Sequence, residues 1–424
     1  MKYLIRHGQT DHNVRGIYQS TSDCQPLTPT GEKQILSIGR QLEPKRMTSI
    51  LSSPSFRARQ SASLLCHRLS LDAEICDWLA EVSNPKWAGL SKKFIQSKFS
   101  SDWKAWRDHP DTVYWGNLNR VLDDKARDVV FGMNRLRASS EDILVSHDHT
   151  LRSIMIQQCD LTISSHKKFS IPQGSLSLLD YTNGQPSKIR AMGLRFDDEG
   201  PCRISCNKSA RIILVRHGAT DGNASRIYQG LSSDLRLSHD GLQQMAFSAE
   251  LLSKIEPTFI FTSELRRTQE SAEILGFSKH PIQDSRLNEF DYGHWVGKTE
   301  SEVMSQFPDE YRKFYDGSHS QPIHEAESFE GFKKRIRDAL FDIVKKLMSS
   351  NDIAGRTAII VTHDVAARIA ICELLKINPS TFVRFPICNG GISVIELSPG
   401  GYWRLVLHNA LNTDIADRYD HAYF

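Results

Sequence analysis

The chain has 424 residues, which predicts two or three domains, and its 39% hydrophobic and 24% charged residues exclude a disordered, collagen-like or low-complexity protein. The 53 basic and 50 acidic residues leave a net charge of +3, which gives no indication of a nucleic-acid partner or a membrane surface. No apolar run of about 18 residues could span a bilayer and no signal-peptide pattern opens the sequence, so we expect a cytoplasmic protein with reduced cysteines.

Strand and helix patterns alternate along the first half of the chain. An apolar segment ends at Arg6, a helical pattern covers residues 31–42, and a second apolar segment lies at residues 50–51. A helix with leucines at helical spacing follows at residues 57–69, and another apolar strand lies at residues 143–145. This alternation is typical of an α/β sheet with helices on both faces.

The second half has the same order of elements. An apolar run rich in β-branched residues covers residues 212–215, as in a strand that is buried on both faces of a parallel sheet. Further strands are predicted at residues 259–261 and 358–361, and a long amphipathic helix at residues 328–348.

The two halves also have identical residues at many matching positions. Residues 3–20, YLIRHGQTDHNVRGIYQS, match residues 213–230, ILVRHGATDGNASRIYQG, at a constant offset of 210. The match continues through S-x-x-x-x-R at offset 210, L-x-E at offset 208 and V-S/T-H-D at offset 216. A period near 210 is too long for a solenoid repeat, so the sequence predicts two complete, duplicated domains.

A polar segment with Gly and Pro, FDDEGPCRISCNKSA, separates the two halves. We place the boundary near residue 207, which gives a first domain at residues 1–205 and a second at residues 208–424. Each is predicted to be a three-layer α/β domain with a mostly parallel sheet flanked by helices on both faces. An interface between the two domains is expected.

Chemistry-bearing residues follow the strands at equivalent points in both halves. Because the carboxyl ends of strands form the ligand crevice of an open α/β sheet, residues that are distant in sequence should meet at one edge. Each half thus offers two arginines, two histidines and one glutamate: Arg6, His7, Arg57, Glu81 and His147, and then Arg216, His217, Arg267, Glu289 and His363.

Such a cluster is suited to phosphoryl transfer. Guanidinium groups pair with phosphate oxygens, and nearby positive charge favours a neutral histidine whose nitrogen can attack phosphorus. A shielded glutamate can hold a proton for the leaving oxygen. The sixteen histidines show no H-E-x-x-H pattern and no facial triad, so we expect no metal and no cofactor.

The order RHG, S-x-x-x-x-R, L-x-E and an apolar strand ending in His resembles the histidine phosphatase (phosphoglycerate mutase-like) superfamily over nearly the whole of both halves. The resemblance implies that His7 and His217 are the phosphorylated nucleophiles and that Glu81 and Glu289 are the proton donors. It implies that the following residues contact the phosphoryl group: Arg6, Asn13, Arg57, His147, Arg216, Asn223, Arg267 and His363.

Both halves depart from the family pattern. Gln9 and Ala219 stand where the family commonly has Glu, and Asp148 and Asp364 stand where it often has Gly. An extra carboxylate beside a phosphate site could weaken anion binding or keep a histidine protonated. The second half keeps more family-like motifs than the first, so we expect it to carry most of the turnover.

The leading hypothesis is a metal-independent phosphomonoesterase that acts on a small phosphorylated metabolite through a phosphohistidine. A phosphomutase of the same superfamily is less favoured, because the E-R-H-Y-G pattern of the mutases is replaced by EFDYG at residues 289–293. One active domain with one phospho-ligand-binding or structural domain, and a phosphoprotein phosphatase, remain as alternatives. The aromatic residues Trp87, Trp103, Trp106, Tyr114 and Trp115 could line a pocket, although such residues more often cover a core.

Overall fold

The computed structural model describes the chain except for residues 22, 116–120, 183, 206–207, 232–234, 317–322, 351 and 412–424. Its contacts divide these residues into two units, and the division falls between Cys202 and Arg203. That point is close to the predicted boundary, whose residues 206 and 207 lie outside the described part of the chain.

The first unit alternates strands and helices. Its strands are β1 (Lys2–Arg6), β2 (Ser49–Ser52), β3 (Ala73–Ile75), β4 (Asp142–Ser146), β5 (Leu176–Asp180) and β6 (Lys188–Leu194). Its helices are α1 (Asp11–Arg15), α2 (Pro29–Arg40), α3 (Phe56–Leu69), α4 (Lys92–Lys98), α5 (Ser100–Asp108), α6 (Val121–Met133) and α7 (Asp148–Gln158).

The strands of the first unit lie in the order β3-β2-β4-β1-β5-β6. The first four are parallel to one another, and β5 and β6 are added antiparallel. Arg6 and Ser146 are partners at the ends of β1 and β4, so the two histidines that follow leave the sheet side by side at its carboxyl edge.

The second unit has the same series of elements. Its strands are β7 (Arg211–Arg216), β8 (Phe259–Thr262), β9 (Ile282–Gln283), β10 (Thr357–Thr362), β11 (Ile392–Leu397) and β12 (Trp403–Ala410). Its helices are α8 (Asp221–Ala224), α9 (His239–Leu252), α10 (Arg266–Ile274), α11 (Glu300–Gln306), α12 (Pro308–Asp316), α13 (Phe329–Leu347) and α14 (Asp364–Leu375).

The second sheet repeats the first, with the order β9-β8-β10-β7-β11-β12. Its first four strands are parallel, and β11 and β12 are antiparallel. Arg216 and Thr362 are partners at the strand ends, as Arg6 and Ser146 are in the first unit. The predicted α/β class with a mostly parallel sheet is therefore confirmed in each unit.

The helices predicted at residues 31–42, 57–69 and 328–348 are α2, α3 and α13, with ends shifted by at most two residues. The hydroxyl of Thr28 caps α2 by accepting from Gly31, and that of Ser328 caps α13 in the same way. Among the described residues, no helix combines the length and the apolar character that crossing a bilayer requires.

The tryptophans of the first unit belong to its core. Trp87 and Trp106 are buried with Ile95 and Leu122, and Trp103 and Trp115 pack against them from partly buried positions. Tyr114, in contrast, is exposed. The interpretation as core residues, which the sequence favoured over a pocket lining, therefore fits the structure.

A close backbone contact fixes the chain just after β1. A Cβ atom on Gly8 would lie 2.4 Å from the carbonyl oxygen of Gly31, and one on Gly218 would lie equally close to Gly241. The N–H of Gly8 donates to the hydroxyl of Ser61 at 3.1 Å. Glycine is therefore required at this point by space, and the contact holds the preceding histidine at the sheet edge.

Candidate active site

His7 is directed by its two neighbours in the first unit. It is 2% exposed, and its Nδ1 lies 2.8 Å from the carbonyl oxygen of Gly8. Nε of Arg57 donates to Nε2 of His7 at 3.2 Å. Because a guanidinium only donates, Nε2 carries the lone pair and Nδ1 carries the proton.

His217 has the same environment in the second unit. Its Nδ1 lies 2.7 Å from the carbonyl oxygen of Gly218, and Nε of Arg267 donates to its Nε2 at 3.2 Å. Burial, followed by the charges of Arg267 and Arg216, holds the pKa of His217 well below its ordinary value. Both candidate nucleophiles are thus neutral imidazoles, since the pKa of His7 is lowered by burial and the matching arginines.

The second histidine of each unit lies against the first. The ring centroids of His7 and His147 are 5.0 Å apart, and those of His217 and His363 are 5.1 Å apart. A serine hydroxyl lies 2.8 Å from Nε2 of each second histidine, Ser53 in the first unit and Ser263 in the second. Each serine fixes the ring of the second histidine through Nε2, so that Nδ1 points away from the serine.

Among the candidate-site residues of each unit, two buried nitrogen atoms have no hydrogen-bond partner in the described part of the chain. They are Nε of Arg6 and Nδ1 of His147 in the first unit, and Nε of Arg216 and Nδ1 of His363 in the second. Buried polar atoms are nearly always paired, so the same pair of atoms left unpaired twice indicates a polar ligand. Arginine and neutral histidine are the groups that bind an anion there.

The candidate acids lie at the start of the helix that follows the second histidine. The Glu289 carboxylate accepts from the N–H groups of Phe290, Val365 and Ala366 at 2.9–3.2 Å. Burial and the nearby charge of Asp364 nevertheless raise the pKa of Glu289. Glu81 has equivalent contacts, and burial together with Asp148 raises its pKa.

A cation holds the loop that carries each acid. In the second unit, Arg335 donates to the carbonyl oxygens of Asn288 and Glu289 at 2.7 Å each and forms an ion pair with Glu327 at 2.6 Å. In the first unit, Lys125 takes this place and donates to the carbonyl oxygen of Ala80 at 2.8 Å.

The two asparagines stabilise the loop after each RHG motif. Oδ1 of Asn13 accepts from the N–H and the hydroxyl of Thr10 at 3.0 Å each, and Asn223 pairs with Thr220 at the same distances. These are capping boxes, so the asparagine oxygen is occupied while its amide nitrogen is held beside the site.

In the second unit, one cleft gathers most of the sequence-predicted residues. Its lining includes Arg216, His217, Asn223, Arg267, Glu289, Asp364 and two tyrosines, Tyr228 and Tyr292. His363 adjoins this group through its contact with His217. Here the structure brings together all the residues that the sequence proposed.

The corresponding residues of the first unit are linked in the same way. Arg57 joins His7, His147 packs on His7, and the charge of Arg6 acts on Glu81. Asn13 holds the same cap as its counterpart.

The mouths of the two sites differ in charge. Lys92 and Glu300 are the first residues of α4 and α11 and stand at matching positions. Desolvation and the charge of Arg6 lower the pKa of Lys92, so its ammonium group lies near the first site. Glu300 accepts a hydrogen bond from Tyr311 and lies near Tyr228, which lines the second cleft.

Several supporting residues were not predicted from the sequence. Arg152 and Arg368 pair with the aspartates that follow the second histidines, and each lies four residues after its aspartate at the shared offset of 216. Lys125 and Arg335 are basic residues at an offset of 210. A search of the repeat for matched charges would have found both pairs.

Comparison with known proteins gives a family match in both halves of the chain. The model of the histidine phosphatase superfamily (branch 1) matches residues 2–192 and 212–411. The chain is 31% identical to phosphoserine phosphatase 1 of Hydrogenobacter thermophilus over 189 residues, which cover 44% of this chain and 86% of that protein.

Two plant relatives match along nearly the whole chain. The probable 2-carboxy-D-arabinitol-1-phosphatase of Arabidopsis thaliana is 24% identical and covers 94% of this chain and 84% of its own length. The 2-carboxy-D-arabinitol-1-phosphatase of Triticum aestivum is 27% identical, and the match covers 94% of this chain and 82% of that protein. On the strength of the two family-model matches, the chain belongs to the histidine phosphatase superfamily and carries its pattern twice.

Proposed function

We propose that each unit hydrolyses the phosphate monoester of a small metabolite through a phosphohistidine at His7 or His217, without a metal. Nε2 of the histidine attacks phosphorus, the P–O bond to the leaving group breaks, and the glutamate protonates the departing oxygen. Water then attacks the phosphohistidine, the glutamate takes its proton, and inorganic phosphate leaves.

One observation carries this proposal. In both units, a neutral histidine whose Nε2 bears a lone pair lies among buried nitrogen atoms that have no partner among the described residues. Phosphoryl oxygens satisfy such groups, and two arginines neutralise the charge that develops during transfer. The positive charge that a metal would otherwise supply is therefore already present.

The relatives support a small, phosphorylated organic acid as the substrate class. One relative is named for phosphoserine, and those that match almost the whole chain are named for 2-carboxy-D-arabinitol 1-phosphate. The cytoplasm is the expected location of the protein. The matching hydrogen bonds in the two units support turnover at both sites. The more family-like motifs of the second half favour the second as the main site.

The test is hydrolysis of p-nitrophenyl phosphate by the parent chain, His7→Ala, His217→Ala and the double variant. We expect His217→Ala to remove most activity and the double variant to have none. Full activity in the double variant would contradict the mechanism. An unchanged rate in His7→Ala would assign the first unit to ligand binding or support. Because p-nitrophenyl phosphate has no second hydroxyl, 3-phosphoglycerate distinguishes the two reactions: a phosphatase releases inorganic phosphate from it, whereas a mutase returns the phosphoryl group to the glycerate.

A further inference from the structure

A mostly buried carboxylate follows the second histidine of the first unit. Asp148 is the first residue of α7 and lies between two arginines. Its Oδ2 accepts from Nη2 of Arg152 at 2.6 Å, and its Oδ1 lies 3.8 Å from Nη1 of Arg6. One carboxylate thus connects a helix residue to the arginine of the RHG motif.

The backbone completes this connection. Nη1 of Arg6 donates to the carbonyl oxygen of Ile171. The backbone N–H of Ile171 in turn donates to Oδ1 of Asp148 at 3.0 Å. Arg152 is itself anchored, because Nη1 donates to the carbonyl oxygens of His166 and Phe169 at 3.1 Å. The guanidinium of Arg6 therefore turns only if this network breaks.

The second unit repeats the arrangement with different neighbours. Asp364 lies 2.6 Å from Arg368 and 3.7 Å from Arg216, and Nη1 of Arg216 donates to the carbonyl oxygen of Ile387 at 2.6 Å. Asp364 also lines the cleft above His217. The network has thus been kept in both copies, while the residue after the aspartate changed from His149 to Val365.

The two arginines beside Asp148 argue against a role for it as a second proton donor. Burial alone would raise its pKa, but the charges of Arg152 and Arg6 hold the pKa well below its ordinary value. The carboxylate stays ionised, whereas the neighbouring Glu81 has a raised pKa.

We propose that Asp148 and Asp364 are positioning residues, which hold Arg6 and Arg216 in the orientation that binds the phosphoryl group. This assignment rests on the proposed function of the two sites. A carboxylate beside a phosphate site is by itself expected to repel the ligand. In this proposal, orientation of the arginine outweighs that repulsion, since an arginine fork binds phosphate only in a defined geometry.

Asp364 also affects the candidate acid of the second unit, Glu289. Glu289 faces Asp364 from α14, Arg216 from β7, Arg267 from α10 and Tyr292 from its own loop. Among these groups, Asp364 is the one whose negative charge favours the protonated glutamate. Its removal therefore lowers the pKa of Glu289 and moves the alkaline fall in activity to lower pH.

The first experiment measures equilibrium binding of inorganic phosphate by calorimetry, so that no turnover is needed. The variant is Asp148→Asn together with Asp364→Asn in the full chain. We expect its Kd for phosphate to rise about tenfold. The matched control is Asp338→Asn, which removes an exposed carboxylate from its i,i+4 pair with Lys334 and leaves the Kd unchanged.

A Kd that is unchanged or lower in the double aspartate variant would overturn the proposal, because the aspartates would then only oppose the anion. Asparagine leaves Arg152 and Arg368 without their partner carboxylates. A second variant therefore carries both aspartate substitutions together with Arg152→Gln and Arg368→Gln. Thermal unfolding shows which variant folds. A folded variant of either kind with parental affinity contradicts the assignment.

The second experiment uses Asp364→Asn in the His7→Ala chain, where turnover comes from the second site. We expect kcat to fall about tenfold or more and the alkaline limb of its pH profile to move to lower pH. A purely structural aspartate would change thermal stability but neither readout. Weaker phosphate binding without hydrolysis in the parent chain would leave the positioning role standing and reject the proposed function.

Discussion

Nε of Arg267 donates a 3.2 Å hydrogen bond to Nε2 of His217, and Arg57 and His7 repeat this contact at the same distance. The contact leaves the proton on Nδ1 and directs the Nε2 lone pair towards the arginine. A phosphoryl group that enters the site competes for the same lone pair, so we expect the arginine to turn to the phosphoryl oxygens. The nucleophile is therefore neutral and oriented before substrate binds.

The acid role of Glu289 predicts a dependence on the leaving group. In the His7→Ala chain, Glu289→Gln should reduce the first turnover of an alkyl phosphate roughly 10²- to 10⁴-fold. Release of p-nitrophenol should fall much less, because this leaving group departs without a proton. Rapid-mixing measurements of the first turnover test this, with the exposed Glu302→Gln as control. Equal losses for both substrates would reject the role.

Arg335 should act as a positioning residue for the acid loop. Its hydrogen bonds to the backbone of Asn288 and Glu289 fix that loop, so Arg335→Met should lower kcat up to about 10²-fold with a smaller change in KM. Arg335→Lys should lose less, because Lys125 serves the first unit. The control Arg337→Met removes an exposed arginine of the same helix. A matching loss in that control would mean that helix stability, and not the loop, is responsible.

The charge difference between the two mouths predicts different substrate preferences. Lys92→Glu in the His217→Ala chain should lower kcat/KM for 3-phosphoglycerate relative to glycerol 3-phosphate, which carries CH₂OH in place of the carboxylate. Glu300→Lys in the His7→Ala chain should raise the same ratio. A charge interaction of about 1 kcal/mol corresponds to roughly a fivefold change. Lys93→Glu is the control, and the same change there would show that only long-range charge matters.

The buried histidines predict a loss of stability in acid. Burial and the charge of Arg152 lower the pKa of His166 to about 3, whereas an unfolded histidine titrates near about 6.5. Between these values the unfolded chain binds a proton that the folded chain does not, so stability falls as the pH falls. Each such group changes the free energy of unfolding by up to about 1.4 kcal/mol per pH unit.

His166→Phe tests this, because Phe382 occupies the matching position in the second unit. Denaturant unfolding of the parent and the variant between pH 3 and 6.5 should give a shallower pH dependence for the variant, by about one proton. Parallel curves would show that His166 is protonated in the folded state.

The sequence predicted the parts of the site that depend on strand order. Arg6, His7 and His147 follow neighbouring parallel strands, and their meeting at one edge follows from topology alone. The duplication matches Arg57 to Arg267, and the structure places Arg57 on His7.

The supporting pair of Asp148 and Arg152 could have been predicted, because the two residues stand four apart on one helix. The contacts of Arg335 could not, because they depend on how its helix packs. Arg335 reaches the loop before Glu289 only through the packing of α13. The tryptophans were equally ambiguous, because core and pocket residues have the same helical spacing. In the structure, Trp87 is fully buried, so its role is decided by burial and not by its pattern.

Trapping of the covalent intermediate tests the central claim most directly. His7→Ala with Glu289→Gln is mixed with an aryl [³²P]phosphate, quenched in alkali within the first turnover and digested for peptide mapping. We predict one label per chain on the peptide that contains His217, stable in alkali and lost in acid. The His217→Ala chain with Glu81→Gln should carry the label on His7. No label, or a label that survives acid, would contradict a phosphohistidine mechanism.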